Sequence, residues 1–306
     1  MAAGGTWDKT GSKERAGTYI NFESVRRDTL GGGERGTVLL PLADTDYGPA
    51  KKWIAVTAAA PDAAMALFGH SIYEENDNML LIREALKGAG TVLAYLCTEG
   101  KTAAFGSGGG LNATARYKGS RGNRLTYMAA ANPLGGFDVE IYLDKTRVSL
   151  YEGIQSAKEL DGDPYIVFSE DAENETALSE TAGVTLTGGE DAKTEHADVM
   201  DFLDEAGIKK GWQTMAFPFT DESMQAALRS KIRYLREETG TYVQAAAPNF
   251  AADYEGIINV ANSYVTGDKA LTAAQATAYV AGITAGADNV QSNTNRIVEN
   301  ASDIVG

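Results

Sequence analysis

Of the side chains that most often do chemistry, this chain of 306 residues has two histidines and one cysteine. Cys97 closes the apolar run Val92-Leu93-Ala94-Tyr95-Leu96. No second cysteine can bridge it and no histidine lies near it in sequence, so it reads as a buried core thiol. His70, in Gly69-His70-Ser71, falls just past the end of a predicted helix, where an imidazole serves as a C-terminal turn residue against helix carbonyls. His196 falls in the first turn of another, beside Glu195 and Asp198, as a solvated residue. These positions supply the parts of neither a Ser-His-Asp arrangement nor a thiol nucleophile, and they give zinc no cluster. Asp161-Gly162-Asp163 pairs two carboxylates but lacks the further oxygen ligands and closing glutamate of a calcium loop. The glycines of Gly31-Gly32-Gly33-Glu34-Arg35-Gly36 precede a strand instead of following one and opening a helix. No Gly-Lys-Ser or Gly-Lys-Thr accompanies them, so a phosphate cradle is not expected. Among 42 acidic residues pairs are inevitable, and no motif singles one out. No catalytic, cofactor-binding or metal-ligating residue is assigned, and no cofactor is expected.

Composition narrows the partners. With 43% hydrophobic residues the chain can bury a core, and its length suits two domains. It has no run of about 18 apolar residues for a membrane span, and its polar, Gly-rich start lacks a signal peptide's apolar core. The net charge is −15, and between Glu159 and Glu205 there are 15 acidic residues and one basic one, Lys193. That run reads as a solvated outer face. An acidic chain is also poorly suited to nucleic acid, whose phosphates are held by Lys and Arg, so neither nucleic acid nor membrane is an expected partner.

The elements follow from periodicity. Residues 1–16, which include Trp7, form an arm without apolar pattern, and order starts at Gly17-Thr18-Tyr19-Ile20-Asn21-Phe22. Strands are predicted at 37–40, 53–56 and 91–98, with Pro61 in the first turn of a helix towards Phe68 and Asp77 capping a second. Strand, helix and strand in close succession predict a parallel crossover. From 111 to 186 the pattern changes to six short runs of period two with turn residues between them, the signature of an antiparallel β-barrel or β-sandwich. The predicted architecture is an α/β (α+β) core of mixed sheet with flanking helices, formed by 17–101 and 192–306, interrupted by an inserted β domain at 102–191. In the second half of the core, Thr194 caps a helix stopped by Gly207, Thr220 caps the longest helix, and strands fall at 212–217 and 241–246.

The last stretch is the most informative. Ile257 to Val260 is short and β-branched, as a buried strand is. A polar turn through Thr266-Gly267-Asp268 leads to Thr272, three residues before Gln275, which is a capping-box spacing. The helix so started carries Ala274, Ala278, Ala281, Gly282 and Ala285, small enough for a neighbouring backbone to approach, and stops near Gly286. Ser292-Asn293-Thr294 opens another extended piece. In this order the segment resembles the sheath protein of contractile phage tails, in particular the form found in phages and phage-tail-like particles of Gram-positive bacteria. Gly17-Thr18-Tyr19 after an arm, and Ala115-Arg116-Tyr117-Lys118-Gly119 followed by Gly122-Asn123, resemble the same family. In the second of these, Gly119 and Gly122 permit positive φ and Asn123 can bond its own backbone.

The resemblance implies a structural subunit, not an enzyme. Such subunits stack as hexameric rings around an inner tail tube protein, with arms adding strands to neighbouring sheets and the inserted domain facing outward. It implies a place in the virion tail after assembly in the host cytoplasm, and contraction without a nucleotide. Family members usually continue well beyond the point where this chain stops, at Ile304-Val305-Gly306. Alone, it is therefore expected as a monomer or small oligomer. Two other readings of the residues are a carbohydrate- or surface-binding module on an α/β scaffold and a carboxylate-based hydrolase.

Overall fold

The computed structural model describes residues 35–170, 177–266, 269–288, 291–293, 298 and 301–305. The expected arm with Trp7, the strand from Gly17 and Gly31 to Glu34 lie outside the described residues. In chain order the elements begin with β1 (Thr37–Leu42), β2 (Trp53–Thr57), a 3-10 turn at Pro61–Ala64 that leads into α1 (Met65–Phe68), α2 (Asp77–Leu86) and β3 (Thr91–Leu96). Then come β4 (Phe105–Gly108), β5 (Leu111–Ala115), β6 (Leu125–Ala131), β7 (Phe137–Leu143), β8 (Thr146–Ile154), β9 (Ile166–Glu170) and β10 (Thr181–Thr185). The rest is α3 (His196–Ile208), β11 (Thr214–Ala216), α4 (Glu222–Glu237), β12 (Gln244–Pro248), β13 (Ile257–Val260), β14 (Ser263–Thr266), β15 (Lys269–Ala270), α5 (Ala273–Gly286) and β16 (Ala301–Val305).

Six strands form the main sheet, in the order β13-β12-β11-β1-β3-β2. β1 and β3 lie inside it and are covered on both sides, which is why their sequences run apolar without alternation. Val38, Leu40, Leu42, Val92 and Ala94 share one core with α2 and α5, whereas Leu39, Tyr95 and Cys97 share another with α3 and α4. β2 does not join by the expected parallel crossover: it runs antiparallel to β3, and the parallel neighbour of β3 is β1. β2 buries Ile54 and Val56 and exposes Ala55 and Thr57, the alternation of an edge strand solvated on one face, and an antiparallel edge is compatible with an otherwise parallel sheet. The expected buried strand at Ile257 to Val260 is likewise an edge, pairing only with β12 in this sheet.

Three helix starts are displaced by one residue from expectation. Asn76 caps α2 through bonds from the Asn78 and Met79 amides, and Asp221 caps α4 through the Met224 amide. Glu195, not Thr194, caps α3, because Thr194 is engaged elsewhere: its hydroxyl accepts from the Asp44 amide and its own amide donates to Asp44 Oδ1. α3 also continues one residue past Gly207. The Thr272–Gln275 capping box is present, with both reciprocal bonds made. α5 packs backbone to backbone on α2. A Cβ on Gly282 would stand 2.2 Å from the Ala85 carbonyl oxygen, one on Gly286 1.9 Å from that of Gly88, and one on Gly88 2.4 Å from the Ile283 nitrogen.

The β portion has two antiparallel sheets, β10-β6-β7-β8 and β4-β5-β9, around a shared core that includes Leu111, Tyr127, Val139, Ile141, Ile166 and Phe168. The sheets meet where Phe105 and Thr187 exchange backbone hydrogen bonds. All six period-two runs are strands, and β4 is an unexpected seventh. Its Gly106 and Gly108 lie against Val184, 2.9 and 2.6 Å from where a Cβ would be, so the strand fits because those side chains are missing. A small third sheet, β15-β14-β16, lies beyond β13 in sequence. Gly267-Asp268, Val290 and Thr294 lie outside the described residues, while Val298 packs on the core that contains α5.

Candidate functional site

Cys97 is fully buried, and burial pushes its thiol pKa up to about 12. A thiol reagent at pH 8 is therefore expected to leave the native chain unmodified and to react only on unfolding. Labelling of the native chain as fast as in denaturant would contradict this placement. His196 is exposed in the first turn of α3. His70 does not serve helix carbonyls. It is 8% exposed, its Nδ1 lies 2.7 Å from Glu74 Oε2, and its Nε2 lies 2.9 and 3.1 Å from the two oxygens of Asp46.

The Asp161-Gly162-Asp163 pair is split by the fold. Asp161 is exposed, whereas Asp163 is fully buried. Its Oδ1 accepts from the amides of Tyr165 (2.9 Å) and Ile166 (2.7 Å), its Oδ2 from the Tyr151 hydroxyl (3.1 Å), and its carbonyl from Arg116 Nε (2.6 Å). The carboxylate is a structural anchor with its acceptor sites engaged. Among the described residues no group of three or more His, Cys, Asp or Glu side chains is arranged to hold a metal ion.

Open α/β sheets bind ligands outside the carboxyl ends of their strands, where the strand order reverses. Here the reversal falls between β1 and β11, and a cleft of about 470 Å³ lies there, lined among others by Pro41, Asp44, Asn76, Asp77, Asn78 and Gln275. Each polar group in that set has a structural task. Asn76 caps α2, Asn78 Nδ2 donates to the Ala43 carbonyl, and Asp77 Oδ1 accepts from Lys269 and Gln275. Asp44 pairs with Lys193 and Thr194. Burial would raise its pKa, but the bonds from Thr194 and Lys193 and the Lys193 charge hold it below the usual carboxylate value. The cleft displays caps and ion pairs in place of an acid and base facing a common point.

The loop read as a turn, 115–125, instead locks the two parts of the fold together. Gly119 has φ +131°, and a Cβ there would stand 1.9 Å from the Asp46 carbonyl oxygen. Gly122 does not need positive φ; it is small because Ala104 and Ala115 press on it. Asn123 bonds Gly189 in both directions and not its own backbone. Sheet edges are the remaining functional candidates. β13 and β2 end the main sheet and β16 and β15 end the small one, leaving backbone groups free to pair with another chain.

Comparison with known proteins decides what such a scaffold is. Over 94% of its length the chain matches the crystal structure of the sheath tail protein of Desulfitobacterium hafniense, at 36% identity and a TM-score of 0.79, covering 66% of that chain. It is 35% identical over 99% of its length to the phage-like element PBSX protein XkdK of Bacillus subtilis, covering 67% of that protein. The chain belongs to the phage tail sheath protein family. The description of that family's central domain matches residues 192–305, which contain the α5 segment whose motif order carried the resemblance. A second sheath tail protein structure, from Listeria innocua, matches 90% of the chain at 33% identity and a TM-score of 0.79, and 61% of that chain is covered. The chain thus spans about two thirds of the length of these sheath relatives. Its mixed α+β fold is that of the solved sheath proteins, and no helix among the described residues is long and apolar enough to cross a membrane.

Proposed function

We infer that this sheath subunit polymerises as stacked rings around an inner tail tube and that it does mechanical and not enzymatic work. The single observation that carries the reading is the 0.79 TM-score to solved sheath tail proteins at over 30% identity across nine tenths of the chain. Chain-edge chemistry supports it. Strands from neighbouring subunits can pair with the open edges of β13 or of the small sheet, joining subunits through main-chain hydrogen bonds while leaving them free to pivot. Contraction is then a passage from a metastable to a lower-energy lattice and needs no nucleotide.

The α/β part, residues 35–101 and 192–305, forms the ring lattice in this reading, and the inserted β part, 102–191, faces outward. Two observations favour that division. The ends of the insertion lie together, with the Lys101 amide bonded to the Glu190 carbonyl at 2.8 Å, and its core is separate in composition from the two cores of the main sheet. The reading places the chain in the virion tail after assembly in the host cytoplasm. It is tested by negative-stain microscopy and light scattering of the purified chain with and without a tail tube protein. A small species alone and a regular sleeve on the tube are expected. Bare tubes amid dispersed protein at every concentration would overturn it.

A further inference from the structure

A chain of side chains with alternating charge crosses the junction between the α/β part and the β part. Asp46 lies between β1 and β2, His70 and Glu74 between α1 and α2, Arg121 in the 3-10 turn at Ser120–Arg124, and Asp144 between β7 and β8. His70 sits between Asp46 and Glu74 at 2.9 and 2.7 Å. Arg121 reaches Glu74 with Nη2 at 3.5 Å and Asp144 with Nη1 at 2.9 Å, while its Nε donates to the Gly69 carbonyl at 2.8 Å. The Arg121 amide donates to the Asp46 carbonyl. Beside Asp46, Tyr47 is buried in the core of the β part, its hydroxyl on the Tyr165 carbonyl and its ring edge-on to Tyr117 at 5.2 Å.

The histidine-bearing loop is tied down from its own side. Asp62 accepts from the Ser71 hydroxyl and the Ile72 amide, and Arg83 donates to the carbonyls of Ile72 and Glu74. The movable member is therefore the proton. Both imidazole nitrogens face carboxylate oxygens, and only the imidazolium carries an N–H on each; a neutral ring must turn a lone pair towards one carboxylate. We propose that His70 is the proton-operated centre of a clasp that seats the β part on the α/β part and loosens when the ring loses its proton.

The electrostatics agree with the geometry. Burial alone would lower the His70 pKa, but the bonds to Asp46 and Glu74 and the Asp46 charge outweigh it against the opposing Arg121, so the ring holds its proton above the ordinary value. Burial would raise Glu74, yet the bonds from His70 and the Ser71 amide, with the Arg121 and His70 charges, hold it below the usual range. The histidine contribution is thus fully present below the unfolded value of about 6.5 and is lost as pH rises through the higher folded value. The Glu74 contribution is present above about 4.3 and is lost as pH falls through its depressed value. This inference does not depend on assembly into a sheath.

The test is an NMR titration of histidine-labelled chain, with His196 as internal reference and His196→Gln for assignment, run beside hydrogen exchange corrected for intrinsic rate. His70 is expected to titrate above His196. Across that step, protection of segments 117–124 and 143–147 falls about tenfold, the equivalent of one unit of linkage, while β1 and β3 keep theirs. A His70 that titrates at or below His196, or junction protection that ignores its titration, would overturn the clasp. His70→Gln is expected to abolish the step; a His70→Gln chain that keeps it would overturn the clasp as well. The wild-type titration decides even if that variant does not fold.

Discussion

Gly282→Val is expected to lose about 3 kcal/mol of stability or more, enough to remove much of what a typical domain has. The added Cβ would stand 2.2 Å from the Ala85 carbonyl oxygen and 3.0 Å from its carbon. Both are backbone atoms, so no side chain can swing aside. α2 cannot retreat either, since Met79, Leu80, Ile82 and Ala85 are buried in the core shared with the sheet. The only relief is to separate α5 from α2, which opens the core. Gly207→Ala in α3 is the control: its Cβ would meet only the Lys231 side chain, at 3.6 Å. That change is expected to be neutral or to stabilise by about 0.5–1 kcal/mol through helix propensity. Urea midpoints with unchanged slopes measure both. A Gly282→Val chain within about 0.5 kcal/mol of wild type would show that the helices are not in backbone contact.

Asp163→Ala is expected to cost about 3 kcal/mol, because it strands two buried amides and a hydroxyl, each of which lost partners costs about 1–3 kcal/mol when water cannot replace them. Asp163→Asn keeps an acceptor for the Tyr165 and Ile166 amides, and the Tyr151 hydroxyl can turn to accept from the new amide, so about 1 kcal/mol is expected. Calcium should leave the Tm of the wild-type chain unchanged, since the carboxylate faces inward. A calcium-dependent rise in Tm that disappears in Asp163→Asn would return the Asp-Gly-Asp pair to the role of a cation site.

These two residues differ in how much of their role could be read before the fold was known. The small-residue face of α5 and its capping box are local patterns, and Gly282 belongs to both the pattern and the contact it makes. Asp163 is one carboxylate in an acidic run, and nothing local distinguishes it from its exposed neighbour Asp161. Its partners Tyr151 and Arg116 arrive from other strands. The same holds for His70, whose partner Asp46 lies 24 residues away and whose link to Arg121 crosses the junction. Helix starts were found to within one residue because Asn76 and Asp77, Thr194 and Glu195, and Thr220 and Asp221 are adjacent residues able to cap. For the middle pair the choice follows from Asp44, which claims Thr194. Strand direction was the weakest inference: the apolar pattern marks β2 and β3 as strands but carries no sign, and β4 has almost no side chains to show a pattern. The family was legible because it rests on the order of several motifs, which survives errors in any one element.

The meeting of residues 101–102 with 190 has a consequence in chain statistics. The Lys101 amide bonds the Glu190 carbonyl, and the Glu190 amide bonds the Thr102 carbonyl at 3.2 Å. To the main sheet, everything between them is one loop whose ends are already pinned side by side. Loop-closure entropy grows only with the logarithm of length, by about 0.6 kcal/mol for each doubling. The segment can lengthen, shorten or be exchanged for another that returns to the same point, and β1 and β3 keep the same register. Variation in size is concentrated where it strains the sheet least, and the polypeptide that carries it tolerates decoration without renegotiating its core.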